Sequence, residues 1–597
     1  MLWVGGLNVR LCLAIVSMAI YNLAMEKKFS NKEIAELLRN VSAAYQVKEA
    51  NLFQIRAYDS TADVIEHATS EVKDLWEAGQ LDQIPGVGAH MANYLDEYFT
   101  TGKVKHFESL FKGIPEDMFE FLKVPGVGPK TAYKLAEAGV VSIEDLEQKI
   151  KSEWFLKKGF GEKSLENILL GIEEFKRKSD RILLPVAGEV AKRVIEYLKK
   201  HKDVVAADPL GSLRRRVATV GDIDISVASK NPKAVVDHFT KFPELEQVVE
   251  AGERTATIVL RNGIHVDLMV QPPERYGSLL QHFTGSKLHN IHIRKIAKEK
   301  GLSLSEYGIK KVEEKEDQFS EASLFKCETE EEFYKKLGMA YIPPEIREDT
   351  GEIEAALAHK LPNLIEIADV KGDLQSHSTW SDGHDSIAEM AKAADSLGRE
   401  YIALTDHSYP SVDFDKRLKE IEQFNYSQDR IRVISGLEVN INADATLQVP
   451  DKVLAKHDLI LVSIHTSFRQ DQKEMTARII KALENPHVDI FAHPTGRLLL
   501  EREGIDADWE QIFKVANKLG KFIEINAFPN RLDLPDTLIR EAKRFGVRFS
   551  IGTDSHQIAQ LSLLEYGVAT ARRGWLEKDD VINTLPYSKL KDILKIK

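Results

Sequence analysis

The chain has 597 residues, 43% hydrophobic and 29% charged, with 35 glycines, 20 prolines and a formal net charge of −12. That length is too great for one ordinary core and predicts about four units of roughly 100 to 200 residues, while the composition excludes a fibrous or disordered chain. An acidic total excludes coating of nucleic acid through an overall field but leaves local basic patches open.

Only Cys12 and Cys327 are present, which rules out a disulfide framework and a thiolate zinc cluster and fits a reducing compartment. Any metal must therefore be held by His, Asp and Glu.

Near the start, the run "LCLAIVSMAIYNLAM" is shorter than the roughly 20 apolar residues that span a bilayer. The amphipathic pattern "EKKFSNKEIAELL" follows at once from Met25. Residues 1–24 are therefore expected to be a mis-assigned start or signal-like extension outside the fold.

Two helical units are expected next, 25–110 and 111–180. They carry a repeated glycine turn: "IPGVGAHMANYL" with Gly86 and Gly88, "VPGVGPKTAYKL" with Gly126 and Gly128, and a looser copy, "GFGEKSLENIL", with Gly159 and Gly161. Each turn opens a helix at the glycines, where bare backbone N–H groups can receive a nucleic-acid phosphate whatever its sequence. One copy could be a mere tight turn; three favour a helix-hairpin-helix DNA-binding region.

From Ile182 the helix "AGEVAKRVIEYLKKH" precedes the strands "VGDIDISVAS", "ATIVLRN" and "IHVDLMVQ", giving an α+β unit at 181–280. A further unit spans 281–345, with an exposed charged run, "KKVEEKEDQ". The prolines of "YIPPEIRED" predict a connector at 346–360. In 361–597, the runs "KGDLQSH", "YIALTDH", "RVISGLE", "DLILVSIH", "VDIFAHP", "FIEIN" and "RFSIGTDSH" alternate with helices, and nearly all end in a metal-capable side chain. This predicts a distorted seven-stranded β/α barrel with its site at the C-terminal strand ends.

Asp222 and Asp224, two apart on a strand, place both carboxylates on one side, and Asp267 lies on a second strand. Three hard carboxylates on adjacent strands can hold two Mg²⁺ ions, with Ser212, Arg215 and the backbone at Gly221 gripping a triphosphate. A lone Asp-x-Asp is more often a solvated strand end. The extended pattern, Gly-Ser-x-Arg-Arg, then Gly-Asp-x-Asp, a later strand Asp, and "HFTGSKLHNIHIR", resembles the family X DNA polymerases over about residues 25–345. The resemblance implies a nucleotidyltransferase palm at 181–280, a thumb at 281–345, and metal ligands Asp222, Asp224 and Asp267. It further implies triphosphate contacts from Ser212, Arg215 and Gly221, and nucleotide or template contacts from His282, Phe283, Gly285, Asn290 and Arg294. His282 stands where the animal repair enzymes have Tyr. His90 and Tyr94 stand where the animal repair member has Schiff-base lysines, and neither supplies an amine, so that lyase route is not carried over.

A single His at a strand end is more often structural, but a series of His, Asp and Glu around one rim needs cations to pair it. The series resembles the PHP (polymerase and histidinol phosphatase) phosphoesterases. That resemblance implies ligands His377, Asp382, His407, Glu438, His465, His493, Asp554 and His556, for up to three Mn²⁺ or Zn²⁺ ions. Gln375 occupies the first place of a usual His-x-His and would be a neutral, weaker ligand.

Together the halves resemble bacterial and archaeal family X polymerases with a C-terminal PHP domain. The expectation is gap filling in base excision repair, coupled to a 3′-to-5′ exonuclease that also cleaves abasic sites or removes 3′-phosphates. Expected partners are gapped or primer–template DNA and dNTPs, with no membrane, for a monomer on the nucleoid in the cytoplasm. The alternatives are a phosphoesterase whose polymerase half only delivers DNA, and a DNA-binding scaffold. The intact Asp222, Asp224 and Asp267 set disfavours the first, and the near-complete ligand series disfavours the second.

Overall fold

The computed structural model describes residues 29, 31–66, 72–77, 81, 84, 87–152, 161–179, 181–311 and 324–596. The extension 1–24, Gly86, Gly159 and the charged run beyond Lys311 lie outside the described residues. Contacts divide the chain into two compact units, one ending at Arg181 and one beginning at Ile182.

The first unit is helical and has two cores. Ile34, Leu38, Val41, Leu95, Phe99 and Phe107 build one. Met118, Phe121, Leu135, Leu146, Ile168 and Ile172 build the other, joined by Ala43 and Ala44 of the helix Asn31–Val47. The glycine turns repeat bond for bond. Val87 N–H donates to Ile84 O at 3.0 Å and Val127 N–H to Val124 O at 3.0 Å; Ala92 N–H reaches Gly88 O at 3.0 Å and Ala132 N–H reaches Gly128 O at 2.9 Å. Gly88 and Gly128 are the N-caps of helices Ala89–Thr101 and Pro129–Glu137. Gly161 likewise opens the helix Glu162–Ser179, its carbonyl accepting from Leu165 N–H at 3.1 Å.

The second unit begins with a five-stranded mixed sheet in the order Ala206–Pro209, Ile223–Ala228, His265–Gln271, Thr255–Leu260, Leu245–Ala251. Ile223, Ile225, Val266 and Leu268 face the core beneath the helix Leu184–Leu198. The strand Leu245–Ala251 was not expected. It is an exposed edge with Glu and Gln interleaved, so it lacks the apolar alternation that marks a half-buried strand.

After helices Tyr276–Thr284 and Lys287–Glu299 comes a small three-stranded antiparallel sheet. The segment expected as a connector is instead packed into this region's core: Ile342, Ile346, Ile353 and Ala356 are buried there with Phe333 and Tyr334. Arg347, fully buried, pairs with Glu330 at 2.6 Å. The prolines of the segment support a 3₁₀ turn, Pro344–Ile346, rather than a free link.

Seven parallel strands then run in sequence order: Gly372–Asp373, Tyr401–Leu404, Arg432–Asn440, Leu459–Ser463, Ile490–Phe491, Phe522–Asn526 and Phe549–Gly552. Most are buried along their whole length, as strands covered on both faces must be. A His377 N–H bond to Ser555 O at 2.8 Å brings the first strand end against the last, so the barrel is nearly closed. Leu532, Leu563 and Tyr566 from the barrel side are buried in the same cluster as the helix Leu184–Leu198. No helix among the described residues is long and apolar enough to cross a membrane.

Candidate metal centres

Parallel pairing of Ile223–Ala228 with His265–Gln271 sets Asp224 directly beside Asp267. Asp222 is exposed just before the strand, and Asp224 is half-buried. Thr257 donates its hydroxyl to Asp267, fixing that carboxylate from the other neighbouring strand. Burial and the charges of Asp222 and Asp267 push the Asp224 carboxyl up to about 7, the mark of carboxylates gathered where a cation would relieve them. The turn that follows Ala206–Pro209 is shaped around the same group. Gly211 has φ +57°, and a Cβ there would come within 2.9 Å of Asp224 Oδ2.

The three consecutive arginines point to different tasks. Arg214 forms a fork with Glu330, at 3.0 and 2.6 Å, and Glu330 also binds Arg347. Arg216, at φ +57°, feeds its charge toward Glu565 and Tyr566 of the barrel. Arg215 is the one beside the palm rim: its Nη1 donates to Thr284 O at 2.5 Å and its Nε to Glu348 Oε1 at 3.0 Å. A Cβ on Gly285 would stand 3.1 Å from Arg215 Nη1, so the glycine gives the guanidinium room. Ser212 lies in the short helix Gly211–Arg214, and Gly221 lies just before the strand Ile223–Ala228. Phe283 stacks at a tilt on His282, 4.8 Å between centroids. Asn290 donates to His282 O at 2.7 Å and accepts from Gln281 at 2.9 Å, so it orders the helix junction. Arg294 is exposed, 3.4 Å from His282 Nδ1. Burial lowers the His282 pKa, against the pull of Glu306.

The barrel rim is far denser. Three sets of ligand atoms lie within 4.8 Å of one another: His377, Asp382, His407 and His556; His407, Glu438 and His465; His377, Glu438 and Asp554. Glu438 is central, 2.8 Å from His493 Nε2, 3.0 Å from His465 Nε2 and 3.4 Å from His377 Nε2. Despite burial, the charges of His407 and His493 hold Glu438 well below the usual carboxylate range. Among the described residues, both ring nitrogens of buried His377, with His493 Nδ1 and His556 Nε2, make no well-aligned hydrogen bond, although His377 Nε2 stands 3.2 Å from Asp554 Oδ1. Orphaned imidazole nitrogens facing carboxylates are the donor set a borderline divalent cation takes, so the residues fit the implied metals.

Gln375 turns its amide nitrogen toward the central carboxylate of the rim. Asn526 Oδ1 accepts from Phe528 N–H at 3.0 Å, which leaves its Nδ2 to donate to Gln375 Oε1 at 3.1 Å. The other end of the Gln375 amide, Nε2, then donates to Glu438 Oε2 at 2.9 Å. A position expected as a weak oxygen ligand is thus an N–H donor that orients Glu438.

The chain is 36% identical over 576 residues to the DNA polymerase/3′-5′ exonuclease PolX of Bacillus subtilis (strain 168), covering 94% of this chain and 99% of that protein. It belongs to the family X DNA polymerases that carry a PHP domain. Residues 279–348 match the family described as DNA polymerase beta thumb, and 373–528 the PHP domain. Residues 29–104 match a helix-hairpin-helix domain and 118–174 a SAM-like helix-hairpin-helix tandem. The halves have separate relatives too. DNA polymerase lambda of Rattus norvegicus is 24% identical over 341 residues, 53% of this chain and 56% of that protein. A probable phosphatase of Thermoanaerobacter sp. (strain X514) is 29% identical over 240 residues, 38% of this chain and 94% of that protein.

Several residues of this family X chain are not among those that motif reading singled out. Asp406 accepts from Ser378 N–H at 2.7 Å and Ser381 Oγ at 3.0 Å and is paired with buried Arg417 at 2.6 Å, so it braces the loop bearing His377 and Asp382. Glu524, pushed well above the usual carboxylate range by burial and by Asp554 and Glu438, accepts from His493 N–H at 2.7 Å. Arg531 Nε stands 3.6 Å from Asp554 Oδ2 at the rim. "TDH" and "IEIN" hinted at the first two; Arg531 carries no local signal.

Proposed function

We propose that this chain fills short gaps in DNA from its palm and removes 3′-terminal nucleotides in its barrel, as a base excision repair enzyme on the nucleoid in the cytoplasm. The observation that carries the reading is two separate sets of candidate ligands, the Asp224–Asp267 pair with Asp222 and the Glu438-centred rim. The palm set suits two Mg²⁺ and the mixed imidazole–carboxylate rim suits up to three Mn²⁺ or Zn²⁺; when bound, these ions activate the primer 3′-hydroxyl and a water respectively and neutralise phosphoryl charge. The chain's own groups do the positioning on which phosphoryl transfer depends. Arg215, with Ser212 and the Gly221 backbone, would hold the triphosphate. His282, Phe283, Gly285, Asn290 and Arg294 would border the incoming nucleotide and template. In the barrel, Arg531 would meet the scissile phosphate beside Asp554, while Gln375 orients the Glu438 carboxylate and Glu524 holds the His493 main chain. Primer extension on gapped DNA with separate Mg²⁺ and Mn²⁺ titrations tests the reading: Mg²⁺ should lengthen the primer and Mn²⁺ should be needed to shorten it. Shortening by Mg²⁺ alone with no lengthening would contradict it.

The glycine turns would hold the DNA backbone. Gly128 is exposed, and a Cβ there meets nothing within 4 Å, so Gly128→Val should leave the domain folded while blocking a phosphate from the helix start. Affinity for gapped DNA should fall about tenfold, with a flatter salt dependence. Unchanged affinity by fluorescence anisotropy would return the turn to a purely structural role.

Tyr94 is committed to packing, stacked on His106 with centroids 5.3 Å apart and planes 5° apart, and His90 is exposed. Borohydride is therefore expected to trap no adduct of residues 25–110 on abasic DNA. Peptide mapping of a trapped adduct to that region would show that another lysine supplies the amine.

A further inference from the structure

Helix Leu564–Arg573 of the barrel ends at the palm rim. Its last residue, Arg573, is 9% exposed and makes contacts on three sides. Nη1 donates to Arg215 O at 2.8 Å and to Glu348 Oε1 at 3.0 Å, and Nη2 pairs with Asp536 at 2.6 Å. Glu348 Oε1 also accepts from Arg215 Nε at 3.0 Å. One carboxylate oxygen therefore lies between a guanidinium of the palm and a guanidinium of the barrel, and the barrel arginine also fixes the main chain of the palm arginine.

We infer that Arg573 is a positioning residue for nucleotide binding in the palm, acting through Glu348 and the Arg215 main chain. The inference rests on the reading of Arg215 as a triphosphate contact. A guanidinium in that role must hold one direction and must not surrender its charge wholly to a neighbouring carboxylate. Arg573 serves both needs. Sharing Glu348 between two cations weakens its claim on Arg215, and the bond to Arg215 O sets where that side chain starts. Without Arg573, Glu348 would pair with Arg215 alone and compete with the incoming triphosphate. The nuclease barrel thus supplies part of the polymerase site, although no barrel metal ligand takes part.

The neighbouring Arg572 provides an internal control. It clamps the same segment, through Glu345 Oε1 at 2.8 Å and Ile365 O at 2.9 Å, but does not touch Arg215 or Glu348. Steady-state gap filling by the full chain should show that Arg573→Ala raises the dNTP KM about five- to tenfold with kcat changed less than about twofold, the loss of a charge-assisted contact that acts before chemistry. Arg572→Ala should leave KM within about twofold, and both variants should retain exonuclease activity, which reports a folded barrel. In an Arg215→Ala background, Arg573→Ala should add nothing further to KM. Should Arg573→Ala reduce the folded fraction, Arg573→Lys keeps a cation beside Asp536 but cannot make all the bonds, and at least about a threefold rise is still expected. A rise in KM with Arg215→Ala but none with either Arg573 variant overturns the inference, as does an equal rise with Arg572→Ala or full additivity with Arg215→Ala. If Arg215→Ala itself leaves KM unchanged, the triphosphate reading fails and the inference falls with it.

Discussion

Asp222→Ala is expected to lower gap filling by at least about a thousandfold, because a missing carboxylate forfeits several kcal/mol of charge neutralisation at the transferring phosphoryl group. Asp222 is exposed and precedes its strand, so truncation removes no core contact and the palm should stay folded. Exonuclease activity should remain within about twofold, since no barrel ligand depends on Asp222. Its loss should also let Asp224 ionise more readily, because Asp222 is one of the charges raising that carboxyl. Rapid-quench measurement of single-nucleotide insertion, with exonuclease rates taken in parallel, checks the expectation. Retained insertion would remove Asp222 from the ligand set.

The second large effect belongs to the rim. His377→Ala combined with His465→Ala is expected to abolish Mn²⁺-dependent shortening, by at least about a thousandfold, while insertion by the palm stays within about twofold. His377 joins two of the three clusters and His465 the remaining one, so the pair touches every set. Any abasic-site cleavage by metal-activated water should vanish with it and with EDTA. Metal analysis of the purified double variant should show less bound Mn²⁺ than the unaltered chain, a readout independent of activity. Unchanged metal content together with unchanged shortening would remove both histidines from the ligand set.

Much of this was legible because the ligands are chemically conspicuous and sit where simple periodicity places them. Seven apolar runs each ended near a His, Asp or Glu, and the seven strands follow those runs in order. Asp224 and Asp267 each follow a core-facing residue, and the parallel register that pairs Ile223 with Val266 sets the two carboxylates at the same height. What stayed hidden depends on contacts across long sequence separations. Arg214 reaches Glu330, Arg215 reaches Glu348 and Arg216 acts on Glu565, so three adjacent arginines take three different partners far along the chain. The segment after Tyr341 looked like a link because prolines and charges dominate it, yet Arg347 and Glu352 are buried by pairing with Glu330 and His289. Gln375 was readable as a departure, but which end of its amide faces Glu438 is decided by Asn526, 151 residues away.

One gel asks directly whether the chain holds two independent centres. A 5′-labelled primer on gapped DNA, with dNTPs, Mg²⁺ and Mn²⁺, is followed for Asp222→Ala, for the His377→Ala and His465→Ala double variant, and for their equimolar mixture. Two separate centres predict only shorter products from the first, only longer products from the second and both from the mixture. Loss of both product classes in either variant would contradict them.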